Sequence, residues 1–407
     1  MVYPQPVHAG RCTSCRSSHE FSRDGGGATF RDALYALYLR YGSRRRREIS
    51  GRLFADERAA KIEDVETLPV RPSAAPVRPA ADREILAHCL GALRCYDPAP
   101  VEILVVDDGS PEPISGWIGE ESGPSVRVVH QANAGPASTR NTGVTGSDAG
   151  PDDIVVFVDA DVVVPLDTFA RLAADFARWP SALAVWGAVT ADHPHRDVIS
   201  RYKNLTHRHF TLQRPDETRH LTTMLAAVRR SAFDQTGGFD EAYSSVSVED
   251  VELGRTLHDA GLSVFLDRAL AAEHRHRFTA MSALRNDFRK ARAMATATLD
   301  RRACGSPSVQ TDGPGERRQV RYLLSGPLGV AAVGAALTGR WRWSAAFLAA
   351  LAYVERDLVR FIADEEGPLF TAALVPWMAV ERTTVAVAVV AGTGDHLVGR
   401  VRRRVRG

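Results

Sequence analysis

The sequence predicts an α/β fold: a Rossmann-like, mostly parallel sheet wrapped in helices, followed by a block of apolar helices. Two observations carry this. Three short runs of apolar, mostly β-branched residues, Val101–Val106, Val126–Val129 and Ile154–Val158, are separated by segments with other spacing. Continuous apolar strands alternating with helices mark a sheet covered on both faces. After Asp300 the composition shifts, and Tyr322 to Gly339 runs for 18 residues without a charge.

In chain order, residues 1–65 read as a poorly ordered extension. They hold Gly25–Gly27, the run Arg44–Arg47 and few apolar positions, with a short amphipathic helix expected around Phe30–Tyr41. No basic start leads into an apolar run there, so no cleaved secretory leader is expected. The five cysteines, Cys12, Cys15, Cys89, Cys95 and Cys304, are odd in number, and Cys12-x-x-Cys15 has no second close pair. That argues against both a disulfide framework and a four-ligand zinc site. Residues 66–300 form the α/β domain. A Pro/Arg/Ala stretch, Pro69–Ala81, leads into a helix starting at Asp82, with Ile85, Leu86, Cys89, Leu90 and Leu93 on one face. The three strands then end in Asp107-Asp108-Gly109-Ser110, in Asn133-Ala134-Gly135 and in Asp159-Ala160-Asp161. Ligands bind at the carboxyl ends of such strands, and two of the three end in paired carboxylates.

Residues 301–320 are polar and read as a linker, and 321–395 as hydrophobic helices. A helix over Tyr322–Gly339 would rise about 27 Å, close to the roughly 30 Å hydrocarbon core of a bilayer. Arg340-Trp341-Arg342-Trp343 follows, a pairing of aromatics and cations suited to a membrane interface. Two further apolar runs are Ser344–Val354 and Leu369–Ala391, the second broken by Glu381-Arg382. The tail, 396–407, carries Arg400, Arg402, Arg403, Arg404 and Arg406, suited to an anionic cytoplasmic membrane face. A membrane-associated, transmembrane-type region is expected; a soluble helical domain is the alternative, because Ala and Gly drive insertion weakly. With 51 Lys+Arg against 49 Asp+Glu, bulk charge excludes a nucleic-acid binder driven by phosphate attraction.

Four clusters carry candidate chemistry. Asp159-x-Asp161 offers two hard oxygens at a strand end, suited to Mg²⁺ or Mn²⁺ shared with substrate phosphates, or else a solvated turn. Asp107 and Asp108 can accept hydrogen bonds from a base or ribose, or cap a helix. Gly237-Gly238-Phe239-Asp240-Glu241 precedes Ser247 and Asp250, spaced as a capping box, so a helix is expected from 247 with Glu249 and Asp250 in its first turn. A helix dipole there favours ionised carboxylates. His274, just past the apolar piece Ala269–Ala272, can ligate a metal through a neutral ring nitrogen, or lie on a basic surface turn.

Taken in order, the strand-end DDGS, NAGPASTRN (Asn133–Asn141), VDAD (Val158–Asp161), GGFDE, VEDVELGRTLHDAG (Val248–Gly261) and His274 resemble the family 2 glycosyltransferases. The resemblance covers roughly Val77–Arg292. Tyr202–Leu205 leading to Arg229-Arg230, and Glu355–Asp357 leading to Gly367, are similar to the membrane-anchored bacterial members. It implies a GT-A fold, the fold of nucleotide-diphospho-sugar transferases, and metal-assisted transfer with inversion from a nucleotide sugar, UDP being the common donor, to a hydroxyl of a lipid-linked or cell-envelope glycan. It also implies a bacterial cell membrane location with the catalytic domain cytoplasmic. Residue by residue, Asp108 would contact the base with Asp107 beside it. Arg140 would lie near the nucleotide, and Asp159, with Ala160, would face the ribose or metal. Asp161, with His274 as a further ligand, would bind a divalent cation, Mn²⁺ or Mg²⁺. Asp250, with Glu249 beside it, would be the catalytic base. Pro76-Val77-Arg78 resembles the loop that touches the nucleotide. One departure stands out: the strand expected before Asp82 reads Arg71-Pro72-Ser73-Ala74-Ala75-Pro76, a poor central strand. The first strand is then Val65–Val70 or is degraded, and a catalytically impaired member acting as a scaffold or binding module is the alternative. A nucleotidyltransferase would carry a Gly-rich loop there, and Pro76–Asp82 has no glycine.

Overall fold

The computed structural model describes residues 35–36, 39–40, 79–94, 102–110, 112, 114–117, 126–241, 248–303 and 316–406. Cys12, Cys15, Val65–Val70 and the loop Pro76-Val77-Arg78 lie outside these residues, as does most of the expected linker.

Helix α1 (Pro79–Arg94) buries Leu86, Cys89, Leu90 and Leu93, the face its spacing predicts. Strand β3 (Ile103–Asp108) pairs in parallel with β4 (Val126–Gln131), placing Asp107 opposite His130 and Asp108 opposite Gln131. Strand β5 (Ile154–Val158) belongs to a larger sheet with β6 (Val162–Val163), β7 (Ala182–Val189), β8 (Leu225–Arg229) and β9 (Ser263–His274). Its order is β5-β8-β7-β9-β6, with β2 (Leu39–Arg40) on the outer edge of β5. Between the strands run α2 (Pro136–Thr145), α3 (Thr168–Arg178), α4 (Val198–Leu212), α5 (Arg230–Thr236) and α6 (Glu249–Asp259).

Side chains on β3 and β5 alternate between two cores. Ile103, Val105, Ile154, Val156 and Val158 join one with α1 and α3; Leu104, Val106, Val155 and Phe157 join the other with α2, α5 and α6. This is why both runs read as continuously apolar. The sheet is mixed rather than mostly parallel. β3–β4 and β7–β9 are parallel, whereas β5–β8, β7–β8 and β6–β9 are antiparallel. An apolar run encodes burial on two faces but not strand direction, which depends on where each connection returns the chain.

The N-terminal segment differs from the helix expected over Phe30–Tyr41. Strand β1 (Tyr35–Ala36) pairs antiparallel with β3, and β2 pairs antiparallel with β5, so two extended pieces lie between the sheets. The inner edges of two buried strands need backbone partners, and that demand overrides helical spacing.

Strands β7 and β9 meet at a bulge, where the register jumps from Gly187–Asp267 to Ala188–Ala271. A Cβ on Gly187 would lie 2.3 Å from the Leu270 carbonyl oxygen. Gly187→Ala is therefore expected to destabilise by at least ~1–3 kcal/mol, as overpacking does, read as a fall in the thermal unfolding midpoint.

The C-terminal helices are α7 (Ala280–Ala303), α8 (Glu316–Leu337), α9 (Trp341–Val354), α10 (Arg356–Glu366) and α11 (Pro368–Arg406). They share a core with the α/β domain: Tyr202 and Leu205 of α4 pack with Ala332, Leu351, Leu358, Ile362 and Met378. Glu381-Arg382 does not break α11, because both side chains are paired, Glu381 being fully buried. By length and composition Pro368–Val398 could cross a membrane, whereas the apolar part of α8, Leu323–Leu337, is shorter than a span.

Candidate active site

The two acids ending β3 hold the local backbone. Asp107 accepts hydrogen bonds from the Ser110 amide (2.9 Å) and hydroxyl through Oδ1, and its Oδ2 lies 2.9 Å from His130 Nδ1. Asp108 accepts from Gln131 Nε2 (2.6 Å) and from the amides of Ala134 and Gly135 (2.9 Å each). Gly109 makes the turn that leaves β3 and packs against the loop after β4: its φ is 82°, and a Cβ there would come within 2.8 Å of the Asn133 nitrogen. Both carboxylates are buried. Any contact of Asp108 with a base would come on top of three hydrogen bonds it already accepts.

By pinning the loop, Asp108 fixes the start of α2, which opens on Gly135 and Pro136. One turn on, Arg140 is buried at the centre of the site. Its Nη1 donates to Glu249 Oε1 at 2.6 Å, its Nη2 lies 3.7 Å from Asp159 Oδ1, and its guanidinium sits 5.3 Å from the Phe239 ring centre. Phe239 comes from the GGFDE turn. The second oxygen of Glu249 accepts from the Val248 amide at 3.0 Å.

Helix α6 starts at Glu249 rather than 247, with Val248 at its N-cap and no side-chain cap. Ser247, the other half of the expected capping box, lies outside the described residues. Three acids, Glu249, Asp250 and Glu252, occupy the first turn instead and complement the dipole. Asp250 Oδ1 accepts from the Val251 amide at 2.7 Å. Burial pushes the Asp250 carboxyl up to about 6, and the charge of Glu249 adds to this, against the opposing pull of Arg140 and Lys290. The contribution of Glu249 follows from its place in the sequence; the larger contribution of burial does not.

The third cluster forms where β6 pairs antiparallel with the end of β9, Val162 opposite His274. The Asp159–Asp161 turn is closed by a 2.9 Å hydrogen bond from the Val162 amide to the Asp159 carbonyl, and the Arg275 amide donates to the Asp161 carbonyl at 2.7 Å. Asp161 Oδ2 lies 3.1 Å from His276 Nδ1 and 3.7 Å from His274 Nε2. The two imidazoles are nearly parallel, 5.9 Å apart. Burial opposes ionisation of Asp161, but the two histidines outweigh it and hold its carboxyl well below the usual carboxylate range. His276 was not among the expected ligands. Its signal was the two-residue spacing from His274, which puts both rings on one side of an extended segment.

Asp161 Oδ1 is buried and accepts no hydrogen bond. An orphaned carboxylate oxygen beside an imidazole fits a hard divalent cation, which takes one or two protein ligands and completes its shell with water and phosphate. Among the described residues no group of three or more His, Cys, Asp or Glu is gathered into a metal cage.

The structure brings together Arg140, Asp159, Glu249 and, next to it, Asp250, and separately Asp161 with His274 and His276; the two groups meet at the Asp159–Asp161 turn. Asp107 and Asp108 join them only through the 133–135 loop and α2. Such a site can bind a diphosphate through a cation at one end and take up a proton at Asp250 at the other.

Known proteins share parts of this chain. The family model described as glycosyl transferase family 2 matches residues 79–237. The chain is 37% identical over 90 residues to the uncharacterized glycosyltransferase EpsJ of Bacillus subtilis (strain 168), covering 21% of this chain and 25% of that one. It thus spans only a quarter of that relative's length. It is 30% identical over 223 residues to the N-acetylglucosaminyl-diphospho-decaprenol L-rhamnosyltransferase of Mycobacterium tuberculosis (strain ATCC 25618 / H37Rv), covering 47% of this chain and 72% of that one. Among solved structures, GalNAc-T7 with UDP, GalNAc and Mn²⁺ overlaps with a TM-score of 0.34 and 15% identity, covering 48% of this chain and 44% of that one.

Proposed function

The chain belongs to the family 2 glycosyltransferases, and from that premise we propose that it moves a sugar from a nucleotide-diphosphate donor, a UDP-sugar, to an acceptor hydroxyl with inversion at the anomeric carbon. The observation that supports this is the Asp159–Arg140–Glu249 contact, which ties the Asp159–Asp161 turn to the first turn of α6, where Asp250 follows Glu249.

Asp250 is the general base. Oδ1 accepts from the Val251 amide, which leaves Oδ2 to take the acceptor's proton as the hydroxyl oxygen attacks. A carboxyl that titrates near 6 is ionised at neutral pH yet more basic than an ordinary aspartate. Arg140 neutralises Glu249 and Asp159 in a buried place where they would otherwise repel the donor's diphosphate. A bound Mn²⁺ or Mg²⁺, held by Asp161 and His274, would supply the positive charge that stabilises the departing nucleoside diphosphate. His274 and His276 beside it favour the ionised form of Asp161 for that task.

The acceptor is a lipid-linked or cell-envelope glycan at the cytoplasmic face of a bacterial membrane. The apolar C-terminal helices support this reading, as does a relative named for transfer onto a decaprenol-linked diphosphate.

The test is a thermal-shift screen of nucleotide sugars with and without Mn²⁺, followed by transfer assays. A UDP-sugar is expected to raise the unfolding midpoint more with Mn²⁺ than without, and chelation is expected to stop transfer until Mn²⁺ or Mg²⁺ is restored. Metal-dependent binding without transfer to any acceptor would favour the scaffold reading. Undiminished transfer in chelator would remove Asp161 and His274 from the mechanism.

A further inference from the structure

We propose that α8, α9 and α11 lie flat on one leaflet of an anionic phospholipid bilayer, and that α11, although long and apolar enough to span it, does not cross. This rests on the membrane association proposed above and adds its geometry.

The middle of the candidate span Pro368–Val398 falls at Glu381-Arg382. Both are held by other helices. Arg382 grips Glu355 with two hydrogen bonds, 2.5 and 2.7 Å. Glu381 accepts from Tyr202 Oη (2.5 Å) and Lys203 Nζ (2.9 Å), and Lys203 also meets Asp287 at 2.6 Å. Tyr202 and Lys203 belong to α4, which packs on β7 in the α/β domain, and Asp287 to α7. A bilayer centred on Glu381 would therefore have to take in α4 and its lysine. It would also take in α7, because the far half of α11 runs along that helix. Arg292 pairs with Asp395 at 2.6 and 2.8 Å, Thr296 Oγ1 donates to the Gly392 carbonyl at 3.0 Å, and a Cβ on Gly392 would lie 2.3 Å from the Arg292 carbonyl. Helix α7 also exposes Arg285 and Lys290. So many charges fixed at hydrocarbon depth exclude a crossing.

The opposite sides of the helices tell where they go. Every exposed position of α8 from Leu323 to Leu337 is apolar, as is every exposed position of α11 from Leu369 to Val390. Leu337 is 83% exposed and Leu369 87%. Helix α8 packs on both α9 and α11, with Gly326 facing Ala386 and Gly329 facing Ala379, so the apolar stripes belong to one layer. An uncharged surface of that extent is an interaction surface. Its edges name the partner. The α8–α9 turn exposes Arg340, Trp341, Arg342 and Trp343, and the chain beyond the α11 stripe carries Arg400, Arg402, Arg403, Arg404 and Arg406. Cations and tryptophans around an apolar face match anionic headgroups over acyl chains.

The test uses the full chain. It is expected to float with phosphatidylglycerol-containing vesicles at least tenfold more than with pure phosphatidylcholine. The pair Trp341→Ala with Trp343→Ala, and the pair Arg340→Glu with Arg342→Glu, are each expected to cut that binding about tenfold or more at an unchanged unfolding midpoint. In a chain whose native cysteines other than the buried Cys89 are serine, Glu365→Cys and Gly407→Cys, which precede and follow α11 in the chain, should both react with an impermeant maleimide from the side of the α/β domain. Labelling at Glu365 with protection at Gly407 until detergent is added would overturn the flat arrangement while leaving membrane association intact. Failure to float with either vesicle would overturn both.

Discussion

Asp250→Asn is expected to lower the rate of sugar transfer by about 10²–10⁴-fold, the range a positioned general base contributes, while the nucleotide-sugar thermal shift persists. The variant keeps the shape of the side chain and an oxygen that can accept from the Val251 amide, but it cannot take a proton. Stability separates the chemical role from a structural one. The folded chain holds Asp250 at about 6, above its ordinary value of 3.8. Between those two values the folded state binds the proton more tightly than the unfolded state, so this group's contribution to stability falls as pH rises through the window. Above about 6 ionisation works against the fold. The neutral amide removes that burden, and the variant is expected to unfold at the same or a higher temperature than the wild type at pH 7. A variant that lost transfer only by unfolding would show the reverse. The pH profile gives a second reading: with a carboxylate base, kcat/KM should rise tenfold per pH unit below about 6 and level off above it. The acid limb should move to lower pH in Glu249→Gln, because that change removes a neighbouring negative charge. Wild-type transfer by Asp250→Asn would take the base role away from Asp250.

Much of this site was readable before any coordinates, because strand ends announce themselves. By its length and β-branched residues a run such as Ile154–Val158 reads as a buried strand, and the acids after it then sit at the sheet edge. The α-helical face of α1 was readable for the same reason of periodicity. What escaped was set by long-range partners. The mixed strand directions, the extended pieces at Tyr35–Ala36 and Leu39–Arg40, and the start of α6 at Glu249 all depend on edges and packing that no local pattern encodes. Asp108 shows the same limit within the site. Its position at a strand end was plain from the sequence, but its carboxylate faces the amides of Ala134 and Gly135, partners 26 and 27 residues away. Glu381-Arg382 is the sharpest case: in sequence it interrupts an apolar run, whereas in the fold it is where α11 is fastened to α4 and to Glu355.

Arg140→Met is expected to have the largest effect on stability. Arg140 and Glu249 are each at most 3% exposed and meet at 2.6 Å, joining α2 to the first turn of α6. Methionine fills much of the arginine's volume but leaves Glu249 buried without its cation. Breaking one side of a buried pair typically costs about 3–5 kcal/mol, because the remaining charge is left uncompensated. Asp159, 3.7 Å from the same guanidinium, loses that contact as well. Denaturant unfolding at pH 7 should show this loss as a lower midpoint at constant slope. The companion variant, Arg140→Met with Glu249→Gln, tests the cause, because it removes the stranded charge together with the cation. It should recover most of the stability, and the double-mutant cycle should give a coupling well above that of exposed pairs, which is roughly 0.2–1 kcal/mol. Recovered stability need not bring recovered transfer. The double variant still lacks the cation facing Asp159, and it lacks both the charge that raises the Asp250 carboxyl and one that lowers it. If Arg140→Met unfolded at the wild-type midpoint, the ion pair would not be what fastens α6 to α2, and the placement of Asp250 would need another support.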